Sequence, residues 1–98
     1  MKLEPEDAEE LEEELAKYDG LTHLRVKKRG DSLVIFSGEP KDPQNHARMT
    51  YLDGDTWGLS LPKHTGRWER TPFTGTMEDI LDTLVSNFRY YLKNIETI

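Results

Sequence analysis

A chain of 98 residues, 35% hydrophobic and 33% charged, holds one thin hydrophobic core and excludes two independent ones. The absence of cysteine excludes disulfides, thiol catalysis and thiolate metal sites. The formal charge of −6 argues against indiscriminate adhesion to nucleic acid, which needs a surplus of cations at the contact.

That charge is unevenly spread. Residues 1–19 hold nine carboxylates and two lysines, net −7, which leaves +1 for residues 20–98. The opening MKLEPEDAEE lacks the basic and apolar regions of a signal peptide, and no stretch approaches the apolar length that spans a bilayer. The expectation is a cytoplasmic protein without a membrane partner.

Along residues 5–18 the apolar side chains Ala8, Leu11, Leu15 and Tyr18 recur at spacings of three and four, and Gly20 follows as a stop signal. The spacing predicts a first helix with a narrow apolar stripe. Its glutamates repel one another at helical spacing, so it needs docking to be stable. Residues 21–29 alternate, with Leu24 and Val26 on one side and His23, Arg25 and Lys27 on the other, as in a half-buried strand. Gly30-Asp31 reads as a turn. A second strand over residues 32–37 is apolar on both faces at Leu33-Val34-Ile35-Phe36, so Val34 and Phe36 are either covered by something or form an exposed patch.

Residues 38–45, with Pro40 and Pro43, read as a loop. A third strand over residues 46–52 points Ala47, Met49 and Tyr51 one way and His46, Arg48, Thr50 and Leu52 the other. Asp53-Gly54-Asp55 is a turn by composition. The fourth strand, residues 56–62, turns Trp57, Leu59 and Leu61 toward the core. Residues 63–75 then read as an unusually long connection. From residue 76 to about 93, Met77, Ile80, Leu81, Leu84, Val85 and Phe88 keep to one helical stripe, with Thr76 placed to cap its start.

The order is α-β-β-β-β-α: an α+β fold with a four-stranded antiparallel meander, flanked by an N-terminal and a C-terminal helix, the C-terminal one packed on one sheet face. Residues 1–98 are expected to form a single domain.

Two candidate sites follow. The first is the sheet face carrying His23, Arg25, Lys27 and Arg48 around Val34 and Phe36. It reads as a surface for an acidic partner or for nucleic-acid phosphates, as ordinary solvated charge, or as the seat of the first helix with its glutamates near Arg25, Lys27 and Arg48. The second is the 63–75 connection, where Lys63, His64, Arg67 and Arg70 are suited to an anion and Trp68 to stacking. The competing reading has Trp68 and Phe73 plugging the edge of the core, with the arginines left available or paired to Glu69 or to the acidic start of the second helix. Catalytic motifs are missing from the sequence: His23, His46 and His64 lie no closer than 18 positions apart, and Asp53-Gly54-Asp55 lacks the rest of a calcium loop.

The expected function is a small non-catalytic protein-interaction module, without cofactor or metal. The alternative is a binder of an anionic ligand or nucleic acid, through the basic face, Lys28, Arg29 and the 63–75 segment. A metal-dependent or hydrolytic enzyme built on His46 and His64 is the third reading. A monomer and a homodimer are both compatible with an open sheet, which has two edges.

Overall fold

The computed structural model describes residues 5–18, 20–39, 41–63 and 67–92. Helix α1 (Pro5–Ala16) precedes five strands, β1 (Arg25–Arg29), β2 (Ser32–Glu39), β3 (Asp42–Asp53), β4 (Thr56–Pro62) and β5 (Trp68–Gly75); helix α2 (Met77–Asn87) and a 3-10 turn (Arg89–Leu92) close the described chain. The strands form one antiparallel sheet in sequence order, so the fold is α+β with one strand more than the alternation predicts.

The additional strand replaces most of the expected 63–75 connection. Pro72 and the charged Glu69 and Arg70 disguise it, but β5 has a neighbour on one side only, and an edge strand tolerates both charge and a proline that donates no hydrogen bond. The expected loop at residues 38–45 is likewise mostly strand. Gly38 pairs with Pro43, and β4 pairs with β3 only from Arg48 onward, so Pro43 also sits where one side of the ladder is open. At the other end, β1 is shorter than predicted. Leu21 and Leu24 are buried through a turn in which Leu24 N–H donates to the Leu21 carbonyl, at 3.1 Å, rather than through strand pairing.

Both helices occupy the same side of the sheet. Leu11 and Leu15 of α1 and Ile80, Leu81 and Leu84 of α2 belong to one cluster with Leu33, Ile35, Ala47, Met49, Trp57, Leu59 and Leu61. α1 lies against β1, α2 against β4 and β5, and the 3-10 turn lies over β3, where Leu92 is fully buried in the same cluster. Each large side chain buried in this cluster contributes about 1.5–3 kcal/mol before ordering entropy is subtracted. The apolar stripe of α1 is therefore as predicted, but its seat is not: α1 does not cross the face of Val34 and Phe36.

α2 is capped as its sequence implies. The Thr76 hydroxyl accepts from Asp79 N–H at 3.1 Å, and the Asp79 carboxylate accepts from Thr76 N–H at 3.2 Å, a reciprocal box that satisfies two otherwise orphaned donors. The helix ends at Asn87, earlier than the periodicity suggests, because the chain tightens into the 3-10 turn that drives Leu92 inward.

Both sheet edges are partly satisfied from within. On β1, Val26 N–H donates to the Glu12 carboxylate at 3.0 Å, so a side chain of α1 takes a hydrogen bond that another strand would seek. On β5, Pro72 has no N–H, and Phe73 N–H donates to the Thr71 hydroxyl at 3.3 Å.

Candidate functional site

With both helices on one side, the opposite face of the sheet carries no secondary-structure element among the described residues. Strand pairing sets Arg25 opposite Phe36, Lys27 opposite Val34 and Arg29 opposite Ser32; Val34 in turn faces Arg48, and Arg48 faces Ser60, itself opposite Arg70. Because side chains alternate along each strand, these residues share the open face. Val34 is nevertheless only 4% exposed although it stands outside the helix-side cluster. It lines the floor of a cleft of about 260 Å³ together with Lys27 and Arg29 on one side and Arg48 and Trp68 on the other. Long cationic side chains cover apolar surface with their methylene stems while their charged heads reach solvent. The apolar run of β2 thus has a cover, and the cover is cationic.

The cations are held in place by rings. Lys27 Nζ lies 4.9 Å from the centroid of Phe36, and Arg48 Cζ lies 5.1 Å from that of Trp68, distances at which the ring quadrupole attracts a cation. Trp68 therefore packs on the open face and does not plug the core edge. The aromatic that does reach toward the helices from β5 is Phe73, edge-on to Phe88 with centroids 5.7 Å apart and still 38% exposed.

Among the described residues no carboxylate lines the cleft. The ion pairs among the described residues are Lys17 with Glu14 and Lys63 with Glu69, so Glu69 takes a lysine rather than Arg67 or Arg70. Lys17 is raised above the ordinary lysine range by its hydrogen bond and charge interaction with Glu14. The Nε of Arg48 is buried without a hydrogen-bond partner among the described residues, a costly condition for a charged donor. The acidic side chains of α1 lie elsewhere: Glu9, Glu12 and Glu13 border a groove between α1 and β1, with Ala8, Leu24 and Val26. Opposite charges are segregated onto different surfaces, and the expected pairing of helix glutamates with Arg25, Lys27 and Arg48 does not form.

The predicted site residues are thus redistributed. Arg25, Lys27, Val34, Phe36 and Arg48 share the open face, and Trp68 and Arg70 join them because β5 extends the sheet. Arg67 is exposed just before β5, and His64 lies outside the described residues. Lys28 pairs with Leu33 and so falls on the other face, at the exposed edge.

Two histidines leave the sites proposed for them. His23 sits in the turn before β1, where its Nε2 lies 3.0 Å from the Leu92 carbonyl. His46 is 1% exposed on the helix side: β2 and β3 pair Phe36 with Asn45 and Ile35 with Ala47, so His46 is an extra residue in a bulge that turns it inward. Its Nε2 lies 2.7 Å from the hydroxyl of Ser37, also buried, and its ring meets that of His23 edge-on at 6.2 Å. A serine and histidine at that distance have the geometry of a nucleophile and base, but burial of both closes them to a substrate and marks a satisfied polar contact within the core. Among the described residues no three His, Cys, Asp or Glu side chains converge as metal ligands.

Ser32 and Asn45 are cleft residues that the sequence reading passed over. Ser32 was within reach, being at the same strand parity as Val34. Asn45 was not, because its place depends on the bulge at His46.

The chain matches no protein-family model, no curated protein and no solved structure at a significant level.

Proposed function

We propose that this chain is a non-catalytic interaction module that recognises an acidic protein segment across the open face of its sheet. The observation that carries the reading is the cleft over Val34, bordered by three cations and, among the described residues, by no carboxylate, on the face that both helices leave uncovered. Arg25 and Arg70 extend the positive surface on either side of it. An acidic polypeptide supplies both halves of the complement, carboxylates for the cations and apolar side chains for the half-buried Phe36 and the rim of Trp68.

Nucleic acid fits the same face less well. Binding of single strands on a sheet relies on open aromatic faces for base stacking, and here Phe36 and Trp68 each have a cation over the ring. A polyphosphate would also meet the repulsion of a protein at −6, whereas a short acidic segment need approach only the basic side.

The test is fluorescence anisotropy with a labelled glutamate-rich peptide at low and moderate salt. Saturable binding, weakened by about tenfold in the double variant Arg25→Glu/Arg70→Glu and unaffected by Lys17→Glu just after α1, is the expected result. Failure to bind at low salt removes the reading. A single-stranded oligonucleotide that binds more tightly than the peptide, with the same dependence on Arg25 and Arg70, transfers the face to nucleic acid.

A further inference from the structure

We infer that the cleft over Val34 is a phosphate subsite, seating the phosphomonoester of a phosphorylated side chain on the acidic partner. The inference rests on the reading of the open face given above and narrows it to a class of ligand group.

The charge balance argues for a dianion. Lys27 and Arg29 approach from the edge strand and Arg48 from the centre of the sheet, three cations around about 260 Å³. A carboxylate brings one charge and two oxygens. A phosphomonoester brings about −1.5 to −2 at neutral pH and three strong acceptor oxygens, which suits a site so rich in donors. The donors are two guanidinium forks, an ammonium and the side-chain amide of Asn45.

The site is also organised before any ligand arrives. Trp68 lies against the Arg48 guanidinium and Phe36 against the Lys27 ammonium, so less side-chain freedom is lost on binding than with freely rotating cations. Val34 supplies an apolar floor that keeps the local dielectric low and strengthens each charge-assisted hydrogen bond. Among the described residues the charged groups lining the cleft are Lys27, Arg29 and Arg48, and no histidine or carboxylate lines it. A change of affinity between about pH 5.5 and 7.5 therefore reports the second ionisation of the ligand, near pH 6.

The experiment uses the full chain, isotope-labelled, with inorganic phosphate, dimethyl phosphate and acetate as probes. The reporters are the side-chain N–H groups of Arg48 and Trp68, with the indole of the buried Trp57 as internal control. Expected are saturable shifts at Arg48 and Trp68 only, an affinity for phosphate at least about tenfold above that for acetate or dimethyl phosphate, and tightening as pH rises through about 6. Lys27→Gln and Arg48→Gln should each lower phosphate affinity by about tenfold, and having both guards against one failing to fold.

Equal affinity for phosphate and acetate, or insensitivity to both substitutions, overturns the inference. If the glutamate-rich peptide still binds in that case, the interaction module survives and only the subsite falls; if neither binds, both fall. In a second arm, an acidic peptide carrying phosphoserine should bind at least about tenfold tighter than its serine counterpart. If inorganic phosphate binds but phosphorylation does not tighten the peptide, the cleft serves a small phosphate compound and the assignment to a protein segment is wrong.

Discussion

Ile35 and Phe36 are adjacent in β2 and face opposite sides of the sheet, so replacing each in turn measures the difference between those sides. Ile35 is 0% exposed and packs within the helix-side cluster. Ile35→Ala removes three carbon groups, a transfer loss of about 2.4 kcal/mol at roughly 0.8 kcal/mol each, and the cavity left behind brings the total to about 3–4 kcal/mol. Phe36 is half-buried under Lys27, and among the described residues no helix lies above it. Phe36→Ser forfeits part of one ring's burial and one exposed cation–π contact, together about 1–1.5 kcal/mol. For a domain of this size 1 kcal/mol moves the thermal midpoint by roughly 4–8 °C, so the losses should be about 12–30 °C and about 4–12 °C. Guanidinium unfolding followed by circular dichroism gives both numbers on one scale. Equal losses would mean that Phe36 lies in a packed interior, and the reasoning about an open face would be refuted.

Three further outcomes test the elements that set this arrangement. Glu12→Ala should cost about 1 kcal/mol by freeing Val26 N–H and should add concentration-dependent self-association in sedimentation, because the β1 edge loses its cover. Thr76→Ala should lower stability by about 1 kcal/mol in denaturant titration, since it removes one half of the capping box. A Cβ at Gly75 would stand 2.9 Å from the Cβ of Asp79, so Gly75→Ala should destabilise by about 1–3 kcal/mol; combined with Asp79→Gly the two losses should be markedly less than additive.

Much of the fold is legible in the sequence. The stripe from Met77 to Phe88, with Thr76 ahead of it, identifies α2 and its cap, because helical periodicity over three turns is hard to produce otherwise. The turns at Gly30-Asp31 and Asp53-Gly54-Asp55 follow from composition; Gly30, at φ 57°, supplies the positive φ of a two-residue hairpin loop. β5 escaped because an edge strand needs no clean apolar alternation, and Arg70, Thr71 and Pro72 together look like a loop. His46 was turned to the wrong side because a bulge adds a residue without leaving a mark in the hydrophobic pattern.

The candidate face was legible as a parity argument. Arg25, Lys27 and Arg48 fall on the face of Val34 and Phe36 by alternation alone, and the structure agrees. What covers Val34 could not be read, because two apolar faces on β2 invite a second helix as readily as a layer of cations. The missing fact was three-dimensional: β5 brings Trp68 within reach of Arg48, and that contact completes the wall of the cleft.

The most direct test of the central claim, that the helices take one side of the sheet and leave a cationic recognition surface on the other, is a residue-by-residue map of chemical-shift changes as the labelled protein is titrated with the glutamate-rich peptide. The account predicts saturable changes at Lys27, Val34, Arg48 and Trp68, with Leu11, Trp57 and Leu84 unmoved. Changes centred on α1, α2 or Trp57, with the cleft residues silent, would contradict it.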